Sequence, residues 1–227
     1  MKVSLSPLIG DARGSAGALS VFLSRAGLIA KINGMPYDPK TASQLLQRAS
    51  LTSISQTWKS VVMNPYRTAW VLLAHAYPYQ DTFGVTRFLS GSAMFAKLNR
   101  NLATINQSAI FTAPGSLACG APGLLTLSYT PGSTPTFIVT PTTAPASTEA
   151  VVISCTKPLS AGVLTLGNTQ TVIQVFPALS ATPWDISTAY HTKHATVANN
   201  SAIFVEVHYV NISTGFAGQS SIDSVLT

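Results

Sequence analysis

The second half of the chain consists of short apolar runs separated by turn residues. After about residue 111, the segments LLTLSYT, TFIVTPT, AVVISCT, TVIQVFP and IFVEVHYV recur between stretches rich in Pro, Gly, Ser and Thr. β-Branched and aromatic residues favour strands, whereas Pro and Gly end them. The pattern predicts an antiparallel β-sandwich of about seven strands. Alternation in the last run places Ile203, Val205, Val207 and Tyr209 on one face of its strand.

The first half has a different sequence pattern, which is typical of a hairpin followed by helices. ALSVFLSRAGLIAKIN, from residue 18 to 33, predicts two strands joined at Arg25-Ala26-Gly27. The glycine-rich GDARGSAG before it is expected to be a flexible arm or a turn. Three helices then follow, opened by Asp38-Pro39, by Asn64-Pro65 and by Ser90, because Asp, Asn and Ser cap helix N-termini and Pro suits the first turn. The fold class is therefore α+β, with a hairpin-and-three-helix module at 1–110 and a sandwich at 111–227.

Each predicted helix carries apolar residues at helical spacing, so each is expected to bury one face. The faces comprise Leu45, Leu46, Ala49, Ile54 and Trp58 in the first helix, Trp70, Leu73, Ala74 and Tyr77 in the second, and Met94, Phe95, Leu98 and Leu102 in the third. Trp58, Trp70 and Phe95 are predicted to form the core between these helices. The alternative is that the indoles are exposed and stack on bases or sugars.

Charge is sparse and uneven. Charged residues make up 9% of the chain, and the net charge is +6. Residues 1–111 hold eleven Lys and Arg against three Asp, a net +8, and residues 112–227 hold two Lys against four acids, a net −2. A basic front half can meet an acidic protein surface or nucleic acid. The alternative is that these are ordinary solvated lysines and arginines. Arg48, Arg67 and Arg100 are the candidate docking residues, and the guanidinium of Arg67 is placed to stack on Trp70 or Tyr66.

No motif in the sequence indicates catalysis or a cofactor. G-x-S-x-G and G-x-G-x-x-G are absent, and seven acids leave little scope for a paired-carboxylate site. His191 and His194 are expected in a loop between strands, without the partners that a metal site needs. Cys119 and Cys155 are either two buried thiols or a disulfide. Neither an export signal nor an apolar run long enough to span a bilayer is recognisable.

The helical segment resembles a poorly characterised family of virion-associated structural proteins encoded by tailed phages and prophages. The shared pattern is (N/D)-P-x-T-x-x-Q, then R, S-x-x-W, R-x-A-W, a glycine, and S-G-x-x-x-F-x-x-x-N, and it covers about residues 10–103. The residues that carry it are Asp38, Pro39, Thr41, Gln44, Arg48, Ser55, Trp58, Arg67, Ala69, Trp70, Gly84, Ser90, Gly91, Phe95 and Asn99. The end of the chain, from NNSAIFVEVHYV onward, resembles the last strands of an immunoglobulin-like or fibronectin-III-like sandwich.

This resemblance implies a phage structural protein located in the virion, with no catalytic residue. The expected role is capsid decoration, cementing or a minor capsid function, through assembly with the major capsid protein or tail proteins and with copies of itself. No enzymatic activity, cofactor, metal or membrane contact is expected. The alternatives are a tail or head–tail component, a carbohydrate-binding adhesin that uses Trp184 and Tyr190, and a protein that contacts nucleic acid through residues 1–110.

Overall fold

A computed structural model describes residues 14–16, 19–24, 27–32, 40–60, 62–80, 84–131, 135–163, 170–194, 197 and 200–227. Within these residues the fold is α+β, as predicted, with helices followed by antiparallel sheets. The chain divides into two compact units, Met1–Leu46 and Gln47–Thr227. The division therefore falls between residues 46 and 47, whereas the change in composition had indicated a boundary near residue 110.

The first unit contains a three-stranded antiparallel sheet of β1 (Gly14–Ala16), β2 (Leu19–Ser24) and β3 (Gly27–Ile32). Ser24 pairs with Gly27, which confirms the predicted hairpin, and its connection at Arg25-Ala26 lies outside the described residues. β1 pairs with β2. The prediction of a flexible arm or turn for GDARGSAG was therefore wrong at Gly14–Ala16, because a neighbouring strand supplies backbone partners that the local sequence does not reveal.

Helix α1 spans Ala42–Ser60. The predicted start at Asp38-Pro39 lies outside the described residues. Thr41 and Gln44 form a capping box instead: Thr41 N–H donates to Gln44 Oε1 at 3.2 Å, and Gln44 N–H donates to Thr41 Oγ1 at 3.3 Å. These bonds satisfy two backbone donors that the first turn of a helix leaves without partners.

Helices α2 (Asn64–Ala76) and α3 (Gly91–Thr104) are linked through a small hairpin of β4 (Tyr79–Gln80) and β5 (Thr86–Arg87). Ser90 caps α3, and its Oγ accepts a hydrogen bond from Ala93 N–H at 3.2 Å, as predicted. The expected Asn64 cap is displaced by one residue, since Met63 occupies the N-cap position without a side-chain bond. Pro65 still lies in the first turn, where its missing N–H costs nothing.

The predicted apolar faces of α2 and α3 pack on each other. Trp70, Ala74, Phe95 and Leu98 are almost completely buried in this core. Gly91 permits the close approach of the helices, because a Cβ there would lie 2.9 Å from the backbone nitrogen of Val71.

The apolar face predicted for α1 is only partly correct. Ile54 and Trp58 are half-buried against the α2–α3 core. Leu45 and Leu46, in contrast, are 49% and 71% exposed, and Ala49 is exposed as well. Helical spacing groups residues on one side of a helix, but it does not say how far along that side a neighbour extends.

The remaining elements form two antiparallel sheets. The strands are β6 (Leu125–Thr130), β7 (Thr136–Pro141), β8 (Glu149–Cys155), β9 (Leu159–Ser160), β10 (Thr171–Phe176), β11 (Trp184–Asp185), β12 (Ser201–Asn211) and β13 (Ser221–Leu226), with the short helix α4 (Ser187–Lys193). One sheet has the order β10-β8-β12-β13, with β9 paired to β12, and the other has the order β11-β7-β6. All five predicted runs are strands, whereas β9, β11 and β13 were not predicted.

The two sheets share one apolar core, as a β-sandwich does. The alternate residues of β12 predicted to face inward, from Ile203 to Tyr209, are completely buried and belong to one apolar cluster with Phe137 and Val139 of the opposite sheet. β8 is buried on both faces. Its outward residues Ala150 and Val152 pack against Leu102 and Ile105, at and just beyond the end of α3. This packing explains why α3 and the sandwich belong to one compact unit.

Candidate functional site

Arg67 braces the corner between α1 and α2. Its Nη2 donates to the backbone oxygens of Trp58 at 2.9 Å and Lys59 at 3.1 Å, and its guanidinium carbon lies 5.6 Å from the centroid of the Trp58 ring. A cation that bonds the last carbonyls of a helix satisfies orphan acceptors and complements the helix dipole. The expected stacking of Arg67 on Trp70 or Tyr66 is replaced by this contact with Trp58. Arg67 is half-buried, and its hydrogen bonds stabilise the end of α1.

The predicted aromatic core is present, with one difference of degree. Trp70 and Phe95 are 0% and 1% exposed, and their rings meet edge to face at 5.3 Å. Trp70 Nε1 donates to the backbone oxygen of Phe111 at 3.0 Å. Trp58 contacts Phe95 at 5.3 Å but is only half-buried. Stacking on a base or a sugar needs a free ring face, and Trp70 has none.

The other two candidate docking arginines lie on the surface. Arg48 is exposed on α1. Arg100 is exposed on α3, where its Nη2 donates to Gln47 Oε1 at 3.2 Å. Between residues 40 and 148 the sequence has seven Lys and Arg but a single acid, Asp81. This part of the chain therefore carries a positive net charge.

A shallow apolar groove runs along the outer side of α2. Its volume is about 550 Å³, and its lining includes Ala69, Leu72, Ala76, Ala113 and Pro114. Leu72 is 67% exposed at this groove, although it lies between the buried Trp70 and Leu73 in sequence. Because α2 is held by its buried face, the groove is preformed.

The side chains proposed as a carbohydrate platform are not available on the surface. Trp184 is 1% exposed and Tyr190 is 0% exposed, and both belong to the sandwich core. Tyr190 Oη donates to the backbone oxygen of Thr156 at 3.1 Å. Sugar-binding aromatics present a flat face to solvent, so this version of the adhesin alternative was wrong.

Of the histidine pair, His191 lies on helix α4 instead of in the predicted loop, and His194 is the C-cap that follows the helix. His194 Nε2 lies 3.3 Å from Thr171 Oγ1, and desolvation lowers the pKa of this histidine. Among the described residues, no group of three or more His, Cys, Asp or Glu has a geometry that could hold a metal ion.

Cys119 and Cys155 are free thiols, which settles the alternative that the sequence left open. Desolvation raises the pKa of Cys155 to about 12. Burial, followed by the nearby negative charge of Glu149, raises the pKa of Cys119 to about 11. Nucleophilic chemistry requires the thiolate, so both groups are inert at neutral pH.

Sequence reasoning missed a buried carboxylate. Glu149 is 6% exposed, and its carboxylate accepts hydrogen bonds from Gly120 N–H at 2.5 Å and Ala146 N–H at 2.9 Å. These contacts tie the segment before β6 to the start of β8. The only signal in the sequence is an acid at the beginning of the otherwise apolar run EAVVISC.

Asn99 has a similar structural role on α3. Its amide is buried, donates to the backbone oxygens of Phe95 at 3.0 Å and Ile110 at 3.1 Å, and accepts from Ile110 N–H at 2.8 Å. The asparagine that ends the phage-like pattern therefore fastens the chain after α3 to the helix. Its part in that pattern is compatible with a purely structural requirement.

Comparison of the sequence with protein-family models and with curated proteins gives no match. Within the described residues, no helix combines the length and apolar character needed to cross a membrane.

Proposed function

We propose that this chain is a structural protein of a tailed-phage virion, associated with the capsid as a decoration, cement or minor capsid protein. In this proposal it acts by protein–protein assembly and has no enzymatic activity. The observation that carries the proposal is the preformed apolar groove on α2, with Leu72 67% exposed beside it. The resemblance of about residues 10–103 to virion-associated proteins supports the same role.

The groove suits a protein partner for an energetic reason. Burying a fully exposed Leu or Val side chain contributes about 1.5–3 kcal/mol. At the groove this contribution comes from Leu72, which is 67% exposed. Contacts of this size are weak individually, but they become effective when many copies bind one particle.

The surface cations direct this association. Arg48 and Arg100 lie on a part of the chain with almost no acids, so an acidic surface of the major capsid protein or of a tail protein is the favoured partner. Such charges mainly raise the rate of encounter and select the partner. Copies of the chain itself are further candidates, since the carboxyl-terminal half carries a net −2.

Two measurements test the proposal. Mass spectrometry of particles purified from the phage or induced prophage that encodes the chain is expected to detect it at a fixed ratio to the major capsid protein. Absence from intact particles would refute the proposal. Cryo-electron microscopy of the same particles separates a capsid position from a tail or head–tail position.

A substitution links particle binding to the groove. Recombinant Leu72→Asp protein is expected to lose co-sedimentation with particles that lack the native protein, because a charge enters the apolar contact. Leu124→Asp is the matched control, since Leu124 is 81% exposed and lies outside the groove. Equal binding of both variants would contradict the assignment of the groove as the contact surface.

A nucleic-acid-binding role is the second candidate, favoured by the seven cations and single acid between residues 40 and 148. It predicts that binding of the chain to DNA weakens steeply as salt rises, since phosphate contacts release counterions. The assembly proposal makes no prediction about DNA binding, because it is decided by detection of the chain in particles.

A further inference from the structure

A polar cavity lies where α1, the end of α3 and the start of β10 come together. Its volume is about 350 Å³, and it is lined by Gln47, Ser50, Arg100, Ala103, Thr104 and Val172. It is separate from the α2 groove and shares no lining residue with it. Four of the six lining side chains are polar, and none carries a carboxylate.

The polar groups of this cavity are mainly hydrogen-bond donors. A guanidinium has only donors, so the contact of Arg100 Nη2 with Gln47 Oε1 at 3.2 Å orients the Gln47 oxygen toward it. The amide NH₂ of Gln47 then remains available, together with further N–H groups of Arg100. The hydroxyl of Ser50 adds a third donor. Thr104 differs, because its hydroxyl already donates to the backbone oxygen of Arg100 at 3.0 Å.

Charges around the cavity favour an anion. Arg100 lines it, and Lys193 Nζ donates to the backbone oxygen of Val172 at its β10 side. The described strands of the sheet that contains β10 carry three acids, Glu149, Glu206 and Asp223. Glu206 is the nearest of them to Val172 in the strand register. In the strand register Val172 pairs with Ser154, and Ser154 pairs with Glu206. Two strand spacings place the backbone of Glu206 about 10 Å from that of Val172.

We propose that this cavity binds a phosphate group, either as free phosphate or as the phosphodiester of a nucleic acid. The planar fork of arginine matches two oxygens of a phosphate, and the amide and hydroxyl donors approach from other side chains, as a tetrahedral anion requires. The cavity is larger than one phosphate, so it admits the attached sugar of a nucleotide. The site does not depend on the proposed role in assembly.

The test uses the full chain and inorganic phosphate. Thermal unfolding is followed in phosphate and in chloride at equal ionic strength and pH. A ligand that binds only the folded state raises Tm, and the stabilisation grows with the logarithm of one plus the ratio of its concentration to Kd. We expect phosphate to raise the Tm of the wild type above its value in chloride. Equal values of Tm in both salts would overturn the proposal.

Gln47→Glu is the informative variant. A glutamate retains the oxygen that accepts from Arg100, so the fold keeps its contact, while a negative charge now lies beside the anion. Repulsion between adjacent like charges is expected to weaken phosphate binding about tenfold or more. Gln80→Glu is the control of equal charge, because Gln80 is exposed on β4 and does not line the cavity. Equal phosphate responses of the two variants would also overturn the site.

The source of the phosphate is resolved with a fluorescein-labelled single-stranded oligonucleotide, measured by anisotropy at fixed ionic strength. Binding that is weakened both by Gln47→Glu and by added phosphate supports nucleic acid as the source. No binding of the oligonucleotide, or binding insensitive to Gln47→Glu, together with a phosphate response of Tm that Gln47→Glu weakens supports the free ion. None of these outcomes bears on detection of the chain in particles, so the two proposals fail independently.

Discussion

Replacing Gly215 with alanine tests the packing that unites the helices with the sandwich. Gly215 has a φ of +69°, in the left-handed region that favours glycine. A Cβ there would lie 2.3 Å from the backbone oxygen of Leu98 and 2.8 Å from Cγ of Leu102. The oxygen belongs to the backbone of α3 and cannot rotate away. The loop after β12 must therefore lift from the helix.

The expected cost has three parts. A non-glycine residue in the left-handed region costs about 1–2 kcal/mol. Overpacking a close contact costs about 1–3 kcal/mol. Lifting the loop also weakens the hydrogen bond from Asn101 Nδ2 to Gly215 O, 2.9 Å long, which is worth about 1 kcal/mol. Because these parts are not fully additive, the free energy of unfolding should fall by about 3–5 kcal/mol.

Two glycines serve as controls. Gly84 has a φ of +75° with no atom within 4 Å of a built Cβ, so Gly84→Ala isolates the backbone strain. Gly115 has open space and is not among the glycines with positive φ, so Gly115→Ala should change stability by about 0.5 kcal/mol or less. Urea unfolding followed by fluorescence and circular dichroism gives all three values.

The decisive quantity is the difference between the losses of unfolding free energy in Gly215→Ala and in Gly84→Ala. A difference near zero would refute the seating of this loop on α3 and, with it, the account of why the helices and the sandwich form one unit. If Gly215→Ala does not fold, Asn101→Ala gives a second measurement. This variant removes the hydrogen bond to Gly215 O, so its free energy of unfolding should be lower by about 1 kcal/mol. No loss in that variant would carry the same refutation.

Two further predictions follow from the buried groups. Arg67→Met removes the hydrogen bonds that cap the end of α1, so the free energy of unfolding should fall by about 2–3 kcal/mol. Amide hydrogen exchange should accelerate more in the last turn of α1 than in α3. Equal acceleration in both helices would contradict a local role of Arg67. Burial raises the pKa of Cys119 to about 11 and the pKa values of Cys155 and Tyr209 to about 12, so the folded chain keeps protons that the unfolded chain releases from about pH 9 upward. The free energy of unfolding should therefore be constant below about pH 9 and fall between about pH 9 and 12. Both thiols should also stay unreactive toward a disulfide reagent at pH 8 until urea is added. A free energy of unfolding that is constant or rises between about pH 9 and 12 would contradict the assignment.

Much of the local structure follows from the sequence. Residue spacing correctly grouped Trp70 with Ala74 and Phe95 with Leu98, because side chains three or four residues apart on a helix must share a face. Alternation likewise placed Ile203 and Tyr209 on the inner side of β12, since consecutive side chains of a strand point to opposite faces. The Ser90 cap was also predictable, because its hydrogen bond spans only three residues.

Which surfaces these faces meet was decided by tertiary structure. The run EAVVISC lacks alternation, and only the docking of α3 on its second face shows why both sides of β8 are apolar. For the candidate site, the sequence identified cationic positions, but it could not distinguish the half-buried Arg67 from the exposed Arg100. It equally failed to show that Trp184 is interior.

The sequence by itself thus determined the three longer helices, most strands and the sign of the net charge. The tertiary structure decided that α3 joins the sandwich, that Arg67 holds a corner, and that Gln47, Ser50 and Arg100 line one cavity. The physical reason is that the interactions act over different distances along the chain. Backbone periodicity and capping act over a few residues, whereas burial depends on atoms that chain folding brings from distant positions, which no local pattern specifies.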